Sequence, residues 1–138
     1  AIPKDGNIIC LDINKETSEA AENFFKRANL EKKLKIILGP AIQTLNLFKN
    51  EKKKCDMIFI DADKENYKNY YTLSIDLIKH KGFILIDNVL WKGEVADPNK
   101  NDQLTNIIRE FNSFIKNDDR IEKTILPLGD GLTICRKI

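Results

Sequence analysis

Cysteine is scarce in this sequence. Cys10, Cys55 and Cys135 are the only three among 138 residues. An odd number without close spacing supports neither a zinc site nor a disulfide framework, so reduced, mostly buried thiols of a cytoplasmic protein are expected. No apolar run approaches the ~20 residues needed to span a bilayer, which excludes a membrane-spanning helix. The start, AIPKDG, has neither the basic residues nor the apolar core of a signal peptide. Excess charge is lacking too: 23 basic against 21 acidic side chains leave a net charge of +2, which argues against a nucleic-acid partner. The one basic cluster, residues 52–54, reads as a solvated loop. There is no internal repeat and no low-complexity tract. His80, the single histidine, falls near an expected helix end and is given no role.

What remains is the composition of one soluble globular domain, 42% hydrophobic and 32% charged. Residues 7–11 read as a short apolar strand ending in Asp12-Ile13-Asn14. Thr17 is expected to cap the next helix, with Ala20, Ala21, Phe24, Phe25 and Ala28 as its buried stripe. Residues 34–38 form a second strand, closed by Gly39-Pro40, and Pro40 suits the first position of a helix. Ala41, Ile42, Leu45 and Phe48 give that helix its inner face. Further on, residues 91–101 read as a loop with Gly93 and Pro98 as breakers. Asp102 caps an amphipathic helix carrying Leu104, Ile107, Ile108, Phe111, Phe114 and Ile115. Residues 121–128 and 132–138 flank Gly129-Asp130-Gly131, a hairpin signal in which Asp130 serves the turn. Strand and helix alternate and an antiparallel pair ends the chain, so the class is α/β with a mixed edge.

The centre of the chain carries the chemistry. Two apolar runs, residues 57–60 and 83–86, each end in an acidic residue, Asp61 and Asp87. Between them Tyr67, Tyr70, Tyr71, Ser74, Ile75 and Ile78 recur at steps of three and four. Strand, helix, strand at this length is a βαβ unit with parallel strands. Neighbouring strands would set Asp61 and Asp87 about 5 Å apart, at the carboxyl edge where open α/β sheets bind ligands. With Asn88 they make an oxygen-rich set suited to Mg²⁺, Mn²⁺ or Ca²⁺. The plain alternative is that strand-end aspartates cap helices or shape turns. Asp12 is open in the same way: it accepts hydrogen bonds from the ribose of a nucleotide cofactor, or it is a turn residue.

IFIDADKENYKNYY followed by ILIDNVLWKGEV resembles the core of the cation-dependent O-methyltransferases, the family of the caffeoyl-CoA and catechol O-methyltransferases. The likeness continues through DINKE and LPLGDGLTICRKI, in the right order and spacing, and covers nearly the whole chain. It implies a Rossmann-like class I methyltransferase sheet with a C-terminal antiparallel hairpin. That sheet has seven strands, and six are counted here. The first strand and its glycine-rich loop have no counterpart, so residues 1–138 read as a partial S-adenosylmethionine-dependent methyltransferase domain. Residues 7–12 match the family's second strand and residues 1–6 the turn into it. Three arrangements are then open: the second and fourth strands close up, another copy of the chain fills the gap, or the sequence is a piece of a longer protein.

The resemblance also assigns roles. Asp61, Asp87 and Asn88 match the metal ligands, with Mg²⁺ the first choice. Asp12 matches the ribose contact, and Ala41 the residue whose backbone meets the adenine. Asp61 borders the cofactor as well, and Tyr70 either approaches it or packs in the core. Lys64, three residues after Asp61, matches the lysine that accepts the proton, while Asp63 and Glu65 are assigned only to the helix N-terminus. Trp91 and Lys92 open the loop that borders the acceptor. Trp91 either walls an aromatic ring or packs the loop. Lys92 stands where the plant caffeoyl-CoA enzymes have asparagine, and a lysine there can meet an anionic substrate. The implied activity is O-methylation of a catechol-like vicinal diol, in a homodimer. The alternative is a methyltransferase-like module that binds a nucleotide or protein partner without catalysis.

Overall fold

The computed structural model describes residues 2–138. Ala1, the first residue of the expected entry turn, lies outside the described residues. The chain divides into two compact units between Leu47 and Phe48.

The first unit holds β1 (Ile8–Asp12), α1 (Lys15–Arg27) and β2 (Leu34–Leu38), and α2 (Ala41–Asn50) begins in it. β1 and β2 pair in parallel, from Ile8 opposite Leu34 to Asp12 opposite Leu38. Two expectations need correction. Asn14, not Thr17, caps α1: its side chain accepts the Thr17 N–H at 3.1 Å. The amphipathic stripe of α1 is also not buried, since Phe24 is 62% exposed. Apolar spacing shows which helix face is oily but not whether anything covers it, and a two-stranded sheet is too narrow to cover this one. The buried residue of α1 is Ser18, whose hydroxyl returns to the Asn14 carbonyl at 2.7 Å. Pro40 stands one position ahead of α2 rather than at its first residue.

The second unit is built on a four-stranded sheet in the order β3 (Cys55–Ile60), β4 (Ile78–Asp87), β6 (Leu132–Lys137), β5 (Ile121–Leu126). β3 and β4 run parallel, as the βαβ reading requires, and the other pairings are antiparallel. α3 (Tyr67–Leu77) packs on β3 and β4, and α4 (Gln103–Lys116) packs against α3. Ile60, Ile84, Ile86 and Cys135 are buried, as are Tyr71, Ile75, Ile108 and Phe111 of the two helices. Phe111 takes the rings of Tyr67 and Tyr71 edge-on, with centroids 5.3 and 6.2 Å away, the geometry that ring quadrupoles favour. Burial raises the Cys135 thiol pKa to about 12, so it behaves as an inert core residue.

β4 is longer than the apolar run at residues 83–86. Ile78, expected on the helix stripe, and His80, expected near the helix end, both lie in the strand. The extra length includes an irregularity: Cys55 faces Ile78 but Met57 faces Phe83. Gly82 sits at this kink because a Cβ there would lie 2.9 Å from the Asp56 carbonyl oxygen. Asp102 caps α4 as expected, accepting the Thr105 N–H at 3.0 Å. Residues 91–101, expected to be a loop, begin with short 3₁₀ turns within Trp91–Ala96, interrupted by a non-helical kink at Lys92 and Gly93.

Candidate active site at the carboxyl ends of β3 and β4

Ile60 faces Ile86 across the parallel pair, so the next residues, Asp61 just past β3 and Asp87 at the end of β4, come side by side at the carboxyl edge of the sheet. The chain then turns sharply on both strands. After β3 a 3₁₀ turn, Lys64–Asn66, leads into α3. After β4, Asn88 takes a left-handed backbone with φ 57°, and its N–H donates to Asp87 Oδ1 at 2.7 Å. Asparagine tolerates that conformation better than most residues.

Lys64 is the hub of the site. Its side chain is only 11% exposed. The ammonium donates to Asn88 Oδ1 at 2.8 Å and to the Tyr67 hydroxyl, and lies 3.6 Å from Asp61 Oδ1. Tyr67 is fully buried and its own hydroxyl donates to the Asp87 carbonyl at 3.0 Å. Burial, with the negative charge of Asp61 next in weight, raises the Tyr67 phenol well above its ordinary value, so it stays a neutral donor.

Among the described residues no three His, Cys, Asp or Glu side chains gather into a metal cluster. The expected set is instead two carboxylates and a carboxamide. It fits a hard cation on one observation: oxygens of Asp61 and Asn88 already face a single positive centre, the Lys64 ammonium.

The remaining expected residues fall as follows. Asp63 does not cap the helix through its side chain. It accepts the Tyr70 hydroxyl at 2.6 Å and the Asn66 amide. Burial raises the Asp63 pKa, but these hydrogen bonds outweigh it and hold the carboxyl below its usual range. Tyr70 is buried, and desolvation together with Asp63 pushes its pKa up to about 12. Asp12, at the end of β1, closes its own turn. Its Oδ1 accepts the Asn14 N–H at 2.9 Å and its Oδ2 the Thr17 hydroxyl at 3.1 Å. Each carboxylate oxygen keeps a lone pair for a further donor. Ala41 is the first residue of α2.

Trp91 and Lys92 follow the turn after β4, both with left-handed backbones at φ 49° and 56°. The Lys92 N–H donates to Asp130 Oδ1, and the Leu90 N–H to the Asp130 carbonyl at 2.9 Å. Asp130 therefore does more than shape its own turn. Gly131 beside it has φ 85°, and any Cβ there would sit 2.4 Å from Leu90 Cγ. Tyr67, Asp130 and Arg109, which holds residues 94–101, were not apparent in the sequence as site residues. The Lys64 to Tyr67 step of three at a helix start is the one local signal that points to any of them.

The O-methyltransferase family profile matches residues 1–138. Caffeoyl-CoA O-methyltransferase of Medicago sativa is 43% identical over 148 aligned residues, covering 100% of this chain and 60% of that protein. A probable caffeoyl-CoA O-methyltransferase of Dictyostelium discoideum is 39% identical, again over 100% of this chain and 61% of its own length. The O-methyltransferase of Bacillus cereus, solved in complex with SAH, superposes with a TM-score of 0.89 at 30% identity, over 99% of this chain and 65% of that one. The chain thus spans about three-fifths of the curated relatives it matches. Its α/β architecture with the C-terminal antiparallel strands is that of part of a class I methyltransferase domain. On fold, motifs and profile together, the chain belongs to the S-adenosylmethionine-dependent O-methyltransferase family.

Proposed function

We propose that the chain methylates one hydroxyl of a small aromatic vicinal diol, in a reaction that depends on a divalent cation. The observation that carries this is the convergence of Asp61, Asn88 and the nearly buried Lys64 at the ends of two parallel strands. Asp61, Asp87 and Asn88 would hold the cation, with Mg²⁺ favoured by the all-oxygen set and Mn²⁺ or Ca²⁺ as alternatives. Such an ion, when bound, lowers the pKa of a coordinated hydroxyl and orients its oxygen. S-adenosylmethionine supplies the methyl group.

The protein's own part is to bind, position and move a proton. Asp12 accepts from the ribose hydroxyls, the backbone at Ala41 meets the adenine, and Asp61 and Tyr70 border the cofactor. As the free amine, whose two N–H groups serve Asn88 and Tyr67, Lys64 Nζ uses its lone pair to accept the proton that the substrate hydroxyl gives up, and becomes the ammonium. Tyr67 and Asn88 fix that nitrogen in place, and positioning of this kind supplies much of such an enzyme's rate. Trp91 walls the aromatic ring, and Lys92, which is exposed, meets an anionic group on the acceptor. The family likeness also supports a cytoplasmic homodimer.

Two expected results follow. Titration calorimetry of S-adenosylmethionine into the chain, with and without Mg²⁺, should give one site per chain. Absence of binding in both would favour the non-catalytic module, with a nucleotide or protein partner. Lys64→Met keeps the aliphatic stem but removes the base, and should lower kcat about a hundredfold with KM little changed, the lower end of a general-base contribution. A kcat within about twofold of the parent would remove Lys64 from the proton-accepting role.

A further inference from the structure

Arg109 lies two turns into α4 and spends most of its guanidinium on the backbone of one stretch. Nε donates to the Val95 carbonyl at 3.0 Å, and Nη2 to those of Glu94 at 2.9 Å and Asp97 at 2.6 Å. Nη1 donates to the Lys100 carbonyl at 2.6 Å and to Asn106 Oδ1 at 3.1 Å. A guanidinium has five N–H donors in a rigid fork, and all five are used here. None of these acceptors is a carboxylate. The side chain is there for its shape, since a simple ion pair would not need four carbonyls gathered around one plane.

The stretch it gathers is the second half of residues 91–101. The first half is tied elsewhere, with the Lys92 N–H on the Asp130 carboxylate and the Leu90 N–H on the Asp130 carbonyl. Between the two anchors Trp91, Lys92 and Gly93 run through three consecutive left-handed conformations. Two of the three are not glycine, so this path opposes intrinsic backbone preference and persists because its surroundings impose it. Cutting the Arg109 anchor frees one end of that imposed path.

We propose that Arg109 is a positioning residue, whose guanidinium sets the path of residues 91–101 and so the wall that Trp91 and Lys92 present to the acceptor. The acceptor-facing part rests on the methyltransferase reading above; the clamp itself does not. The chain's single tryptophan is Trp91, so its fluorescence reports on this loop alone. In the full chain, R109K and R109Q should each raise the acrylamide quenching constant of Trp91 about twofold, the mark of a local opening. The cooperative circular-dichroism melt should be retained. With an acceptor catechol, both variants should raise acceptor KM about tenfold while kcat and the KM for S-adenosylmethionine stay within about twofold.

Unchanged quenching in both variants overturns the proposal. So does parental quenching in R109K alone, because an ammonium would then serve as well as the fork. Loss of the cooperative melt in both makes Arg109 a residue of the fold and overturns it too. If the parent chain turns over no acceptor, the methyltransferase reading fails, and the quenching result alone decides the clamp.

Discussion

Asp87→Ala is expected to cut cation-dependent methyl transfer about a thousandfold, because a Lewis-acid cation is worth several kcal/mol to such a reaction and each ~1.4 kcal/mol is a factor of ten. S-adenosylmethionine affinity should change by less than about twofold, since the residues proposed to meet the cofactor, Asp12, Ala41, Asp61 and Tyr70, are untouched. Asp87 has a second task that the substitution also removes: its Oδ1 accepts the Asn88 N–H at 2.7 Å and so supports the left-handed turn that aims the Asn88 carboxamide. Two of the three proposed ligands are therefore affected by one change, and raising the Mg²⁺ concentration should restore little of the rate. The Asp87 backbone carbonyl, which accepts from Tyr67 at 3.0 Å, survives the substitution. Turnover measured against Mg²⁺ concentration, beside calorimetry of the cofactor, separates the two effects. Equal loss of turnover and of cofactor binding would remove Asp87 from the metal set.

That Asp61, Asp87 and Asn88 are legible in the sequence has a local cause. Asp61 and Asp87 each follow an apolar run directly, Asn88 follows Asp87, and parallel pairing of the neighbouring runs then fixes where all three emerge. Lys64 is legible by its offset from Asp61 and by family likeness, yet its low exposure and its bond to the Tyr67 hydroxyl are not. Those depend on how α3 packs beneath Phe111, a contact across more than forty residues. Arg109 and Asp130 are hidden for the same reason. An arginine on an amphipathic helix and an aspartate between two glycines look the same in sequence whether they face solvent or collect distant backbone groups. The stripe of α1 fails in the opposite direction, because its apolar pattern is real while Phe24 remains exposed. The length of β4 was missed because Lys79, His80 and Lys81 are polar and its kink at Gly82 breaks the alternation on which a strand is recognised.

Asp118→Ala should cost about 3 kcal/mol in urea unfolding at pH 7, the range seen when one partner of a buried charged network is removed. Asp118 is 9% exposed and sits just past the end of α4. Its Oδ2 accepts the Tyr71 hydroxyl at 2.9 Å and Arg120 Nη2 at 2.7 Å, and its Oδ1 accepts the Arg120 backbone N–H and Nε, both at 2.9 Å. One carboxylate thus ties α3 to the turn between α4 and β5. Without it the Tyr71 hydroxyl is a fully buried donor with no acceptor, which carries its own penalty. The same bonds give the loss a pH signature. Hydrogen bonds from Arg120, partly opposed by burial, hold the Asp118 carboxyl well below the usual carboxylate range. The folded value lies under the unfolded one of about 3.9. The stabilisation is therefore complete above pH ~4 and drains away as pH falls towards the folded value, where the carboxylate takes up its proton. The gap between parent and Asp118→Ala should be widest at neutral pH and shrink steadily below pH ~4. A gap that stayed constant down to pH ~2.5 would mean that Asp118 acts through packing and not through its charge.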